Sequence, residues 1–100
     1  ALMRGLAVSL IRDGKIKTTE AKAKELRSFI ERLVTHGKKN TVAARRIVAS
    51  RLGEPSAAVI KKVFDEIAPK FAERAGGYTR VIKVGRTQAG RDEAVIEFVE

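Results

Sequence analysis

Gly76-Gly77-Tyr78-Thr79-Arg80-Val81-Ile82-Lys83-Val84 is the stretch where the apolar pattern of this chain changes its period. The double glycine signals a turn, and the run behind it is rich in β-branched residues, which suit a pleated surface. A second such run, Ala94 to Val99, alternates, with Ala94, Ile96 and Phe98 on one face. The two are joined by Gly85 to Glu93, too long for a tight hairpin turn and carrying Arg86 and Arg91 near its ends. Two C-terminal strands are therefore predicted.

Upstream of Gly76 the apolar residues recur at helical spacing. Leu2, Met3, Leu6, Leu10 and Ile11 share one side of a first helix ending near Arg12, with Asp13-Gly14 as its left-handed stop. Lys15-Ile16-Lys17-Thr18 is too short to assign, although Ile16 between two lysines suits an extended segment with one anchored side chain. A second helix is expected from Thr19 to about His36. Its apolar arc is Ala23, Leu26, Phe29, Ile30, Leu33 and Val34, and Gly37 closes it. After Lys38-Lys39-Asn40, a third helix runs near Thr41 to Leu52 with Ala44, Ile47, Val48 and Leu52 inward and Gly53 as its stop. Pro55 and Ser56 open a fourth, with Val59, Ile60, Val63, Phe64 and Ile67 buried. Pro69 should end it around Ala68, because the residue before a proline disfavours the α conformation.

The class that follows is α+β, with about four helices packed with a small antiparallel sheet formed mainly by the C-terminal strands. No linker, repeat or low-complexity tract divides residues 1–100, so one domain is expected. The helical pattern is already running at Leu2, which predicts that the natural N-terminus lies upstream of Ala1.

Lys and Arg number 21 against 12 Asp and Glu, a net charge of +9 that points to a polyanionic partner, nucleic acid ahead of an anionic membrane. No apolar run is long enough to cross a bilayer, and no signal or transit peptide pattern is present. The absence of cysteine rules out disulfides and thiolate metal sites and fits a cytoplasmic protein or a processed organellar form. Enzyme chemistry is thinly supplied. The one histidine, His36, stands at a helix end, and no metal-ligand spacing or acidic calcium loop occurs. Gly85-Arg86-Thr87-Gln88-Ala89-Gly90-Arg91-Asp92 faintly resembles a phosphate-binding loop. Arg91 and Asp92 replace the required Lys and hydroxyl, however, and a strand follows instead of a helix. No cofactor, metal or small-molecule substrate is expected.

A cation already paired on its own helix offers less to a phosphate, so local pairs must be set aside first. Glu20 with Lys24, Arg27 with Glu31, Lys61 with Asp65 and Lys62 with Glu66 have the i,i+4 spacing. That leaves Lys15, Lys17 and Lys22 around the start of the second helix, Lys38 and Lys39 after its end, and Arg45 and Arg46 on the third. Lys22 falls within the apolar arc, where its stem can lie over core residues while the ammonium reaches outward. Thr18 and Thr19 can offer hydroxyls to a phosphate at the positive end of the helix dipole, and Thr18 or Thr19 can equally serve as the cap, Thr19 with Glu20 complementing the dipole. Two readings stand open for the strand start. Tyr78 stacks on an unpaired base while Arg80 meets backbone phosphate, or Tyr78 shields the core edge while Arg80 pairs with Glu66 or Glu97. An RNA surface of this kind requires the free cations to gather on one exposed side.

The run Gly14-Lys15-Ile16-Lys17-Thr18-Thr19-Glu20-Ala21-Lys22-Ala23-Lys24-Glu25-Leu26-Arg27 resembles the signature of the bacterial large-subunit ribosomal protein L-seventeen family. Ala44-Arg45-Arg46, Phe64 to Pro69, Gly76 to Arg80 and the final strand resemble the same family in the same order, so the likeness spans nearly the whole chain. The resemblance implies a non-catalytic, ribosome-bound protein that contacts large-subunit ribosomal RNA and neighbouring large-subunit ribosomal proteins near the outer end of the exit tunnel. It also implies that Lys15, Lys17, Thr18, Thr19, Lys22 and Lys24 meet RNA. A basic arm of about twenty residues is implied before Ala1. The alternative is a basic DNA-binding module, with the third and fourth helices joined at Gly53-Glu54-Pro55 as a helix-turn-helix and the fourth as the reader.

Overall fold

A computed structural model describes residues 2–53 and 57–99. The order of elements is α1 (Leu2–Asp13), β1 (Lys15–Thr19), α2 (Glu20–Gly37), α3 (Val42–Arg51), α4 (Ala57–Lys62), β2 (Thr79–Arg86) and β3 (Asp92–Phe98). Between α4 and β2 the helix goes on through a π-helical turn, Val63–Ile67, and a last α-helical turn, Ala68–Lys70. The expected opening of the fourth helix at Pro55 and Ser56 lies outside the described residues.

The amphipathic arc of α2 decides how the layers meet. Ala23, Leu26, Ile30, Leu33 and Val34 are buried, and Phe29 packs against the core from its edge. Thr19 caps the helix in extended conformation, its hydroxyl oxygen accepting the Lys22 amide at 3.3 Å. One side of α2 covers the sheet while α1, α3 and the fourth helix pack around it, so their buried side chains join in one cluster.

The sheet has the order β1-β3-β2 and is antiparallel throughout. Lys15-Thr18, unassignable by itself, is a strand because β3 pairs with it, Ile16 opposite Ile96 and Thr18 opposite Ala94. On the other side Val81 faces Ile96 and Thr79 faces Phe98. Ile16, Val81, Ile96, Ala94 and Phe98 thus line the inner face, and Lys15, Lys17, Val95, Glu97, Arg80 and Ile82 line the outer one. Both C-terminal strands are longer than expected, and a bulge between Lys83 and Gly85 interrupts their register. Gly85 takes φ 133°, open to glycine and strained for other residues.

Three local expectations are corrected, for Ile47, Pro69 and the i,i+4 pairs; Ile47, expected inward on α3, is 38% exposed. Gly37 closes α2 as expected, with a right-handed backbone. It is the last helical residue and is buried, and a Cβ there would sit 3.2 Å from Val63 Cγ1 and 3.3 Å from Ala68 Cβ. It is needed for close approach of the fourth helix, while the chain reverses at Asn40, φ 46°. Pro69 does not stop the fourth helix at Ala68. The Ala68 amide bonds back five residues to the Val63 carbonyl. This wider turn displaces the carbonyl that the proline ring would strike, and proline has no N–H to place. The i,i+4 pairs Arg27 with Glu31, Lys61 with Asp65 and Lys62 with Glu66 do not form among the described residues, since Lys62 donates instead to the Arg12 carbonyl at 2.8 Å.

Glu31 has a different task. One carboxylate oxygen accepts the Gly77 amide at 2.8 Å, and the other accepts the amides of Tyr78 and Thr79 at 2.9 and 3.1 Å and the Thr79 hydroxyl at 3.2 Å. Two turns further along, just past the end of α2, Lys38 Nζ donates to the Arg74 carbonyl and to the Tyr78 hydroxyl, the latter at 3.1 Å. Tyr78 is 1% exposed, and its ring lies 5.2 Å from that of Phe71. Its position is that of a core side chain with a satisfied hydroxyl.

Hydrogen bonds to a charged group contribute about 1.5–3 kcal/mol each, so Glu31→Gln, which turns one acceptor into a donor facing N–H groups, should destabilise by at least about 2 kcal/mol. For a chain of this size that lowers Tm by roughly 10 °C, readable by circular dichroism, and a shift below about 2 °C would refute the role given to Glu31. Lys38→Met should also lower Tm, by less, because the Tyr78 hydroxyl then loses one partner at the core edge.

Candidate nucleic-acid interface

The eighteen residues of α2 span about 27 Å at 1.5 Å per residue, and the candidate cations gather at its two ends. These are the groupings that sorting the charges along the sequence anticipated. The first group surrounds the α2 N-terminus, where β1 delivers Lys15, Lys17, Thr18 and Thr19 and the first helical turns add Lys22 and Lys24. The second follows the α2 C-terminus, where Lys38 and Lys39 lead into α3 and its first turns carry Arg45 and Arg46.

Within the first group the cations differ in what they already hold. Lys15 and Lys22 have no ion pair among the described residues. Lys22 is half-buried along its stem, as its place in the apolar arc implies. Lys17, expected to be unpaired, lies 3.5 Å from Glu93, because the pairing of β1 with β3 brings a carboxylate from the other end of the chain alongside. Lys24 pairs with Glu20 at 3.1 Å, as its helical spacing predicted. Thr19 spends its hydroxyl oxygen on the helix cap, while Thr18 turns toward the inner face opposite Ala94.

Three further cations, none of them among the RNA-binding candidates chosen from the sequence, join this end of the molecule. Lys83 reaches Glu20 at 3.5 Å, Arg86 lies 3.4 Å from Asp92, and Arg91 lines a surface cleft with Glu20, Ala21 and Lys24. The hairpin register delivers them, with Lys83 facing Ala94 and Ala94 facing Thr18. The hydrogen bond from Lys24, and then the charge of Lys83, hold the Glu20 carboxyl below its ordinary value. This contribution to stability is complete above the unfolded carboxylate's titration and is lost as pH falls through the lowered folded value. These exposed pairs are weak, screened by solvent and salt, so a phosphate can displace a carboxylate at little cost.

In the second group Lys38 is committed to the Arg74 carbonyl and the Tyr78 hydroxyl, so it secures the turn before β2 instead of standing free. Lys39 and Arg46 are exposed and without an ion pair among the described residues. Arg45 has no carboxylate partner among them either, and donates from Nη2 to Asn40 Oδ1 at 3.3 Å. Its guanidinium carbon stands 4.7 Å from the centre of the Phe64 ring.

Of the two readings open for the strand start, the geometry selects the second. Tyr78 is enclosed and presents no ring face for a base to stack on. Arg80 pairs with Glu97 directly across the sheet at 2.7 Å, though its side chain remains 58% exposed. The helix-turn-helix alternative depends on Gly53-Glu54-Pro55, of which only Gly53 is described. Ala57 and Ala58 at the start of α4 are exposed and bring only methyl groups to a base edge. Among the described residues no three His, Cys, Asp or Glu side chains converge as a metal site, and no helix is long and apolar enough to cross a membrane.

Comparison with known proteins agrees with the family resemblance. The chain is 53% identical over 102 residues to the large ribosomal subunit protein bL17 of Persephonella marina, covering all of this chain and 82% of that protein. It is 52% identical to the bL17 of Sulfurihydrogenibium sp. (strain YO3AOP1) and 50% identical to that of Thermodesulfovibrio yellowstonii, again over the whole chain and over 83% and 74% of those proteins. The family described as Ribosomal protein L17 matches residues 2–99, and the chain belongs to it.

Proposed function

We propose that this ribosomal protein binds large-subunit ribosomal RNA through the two cationic groups at the ends of α2. The observation that carries the reading is that Lys15, Lys22, Lys39 and Arg46 stand exposed or half-exposed with no carboxylate partner among the described residues. Lys17, Lys24, Arg80, Lys83 and Arg86 can join them by exchanging weak surface pairs for phosphate. Thr18 and Thr19 stand beside this group at the start of α2. Contacts of this kind go mostly to phosphate and sugar, because side chains cannot read the deep, narrow major groove of A-form RNA. Two groups about 27 Å apart let one molecule bridge separate RNA segments, a property suited to assembly and scaffolding.

The role is structural, not catalytic. Neighbouring large-subunit ribosomal proteins are the second class of partner. Ile82 and Val84, 45% and 53% exposed on β2, give such a neighbour apolar surface beside Arg80 and Lys17. A place near the exit tunnel rests on the family resemblance, and cross-linking within isolated large subunits tests it.

Affinity for deproteinised large-subunit ribosomal RNA should fall steeply with salt, with a logarithmic slope of about 0.7–0.9 for each phosphate neutralised. An affinity that stays flat across the titration would overturn the reading. The double change Lys15→Glu, Lys39→Glu should weaken binding at least about tenfold and flatten the slope by about two, with Tm unchanged, because neither lysine supports the core. A fall in Tm would instead assign these lysines to the fold.

A further inference from the structure

Arg45 is built unlike the other candidate cations. Thr41 caps α3, its hydroxyl oxygen accepting the Ala44 amide at 3.0 Å, which fixes the first turn from which Arg45 projects. Asn40, held in left-handed conformation at φ 46°, accepts from Nη2 of Arg45 at 3.3 Å. The guanidinium lies over Phe64, with its carbon 4.7 Å from the ring centre, and Phe64 is 4% exposed, so that ring is held by the core. Arg45 itself is exposed, so its guanidinium is open to a partner while resting near the Phe64 ring. A phosphate contact requires none of this. A flexible side chain ending in a positive charge is enough, as at Lys39.

We propose that Arg45 is a stacking platform for one unpaired nucleobase of the bound RNA. The proposal rests on the RNA-binding reading and deepens it. Single-stranded loops and bulges present splayed bases, and a guanidinium plane is one of the surfaces on which such bases stack. Phe64 beneath the group and Asn40 at its edge hold the plane in place before RNA arrives, so little side-chain freedom is lost on binding. The same two residues line a shallow cleft of about 280 Å³ with Gly37, Lys38, Ala68, Pro69 and Ala72, a lining of mixed polar and apolar character close to the stacked base. Lys39 and Arg46, close by in sequence and unpaired among the described residues, supply charge for the phosphates on either side.

The decisive variant is Arg45→Lys, which keeps the charge and removes the plane, measured beside wild type and Arg45→Gln on deproteinised large-subunit ribosomal RNA over a salt series. Stacking predicts that Arg45→Lys binds about tenfold more weakly with the salt slope of wild type. Asn40→Gly, which keeps the left-handed backbone but frees the guanidinium, should fall between the two. Arg45→Lys binding as tightly as wild type, or losing affinity together with about one phosphate's worth of slope, overturns the proposal and leaves a phosphate contact. Wild-type binding that is absent or insensitive to salt would overturn the RNA-binding reading itself. Tm of each variant, expected to fall by no more than a few degrees because only the contacts of an exposed side chain with Phe64 and Asn40 are lost, separates these outcomes from unfolding.

Discussion

The carboxylate of Glu31 joins the middle of α2 to the segment that opens β2. Gly77, Tyr78 and Thr79 enter the sheet with their amides pointing at α2, and one side chain on that helix receives all three along with the Thr79 hydroxyl. Without an acceptor there, peptide groups at the edge of the core would lie without partners. Lys38 repeats the arrangement in opposite charge, donating to the Arg74 carbonyl and the Tyr78 hydroxyl two turns of α2 later. Between these two contacts the start of β2 is held against α2, and the inner face of the sheet is set on the apolar arc.

This arrangement divides the charged residues into two kinds. Glu31 on α2 and Lys38 just after it are part of the fold, whereas the side chains of Lys15, Lys22, Lys39 and Arg46 satisfy nothing inside the protein that is described. Between them are the surface pairs of Lys17, Lys24, Arg80, Lys83 and Arg86, which moderate the repulsion of a molecule of net charge +9 and are easily broken. A fold resting on the first kind can lend the second to a polyanion without losing stability. Arg45 combines the two, since it leans on the core ring of Phe64 and still faces outward.

What depends on neighbours a few residues apart was decided by the sequence alone. The arc of α2, its Thr19 cap, the Lys24 with Glu20 pair, the left-handed Gly14 and Gly53 and the change to a period of two after Gly77 were all readable from local spacing. The family resemblance was as well. What depends on residues far apart was left to tertiary structure. The strand at Lys15–Thr19 exists because β3 pairs with it, Lys17 finds Glu93 through that same pairing, and Gly37 is required by Val63 and Ala68 on another helix. Glu31 had a plausible partner four residues away in Arg27 and was claimed by three amides across the fold, because several N–H groups at a core edge need a carboxylate more than an exposed guanidinium does.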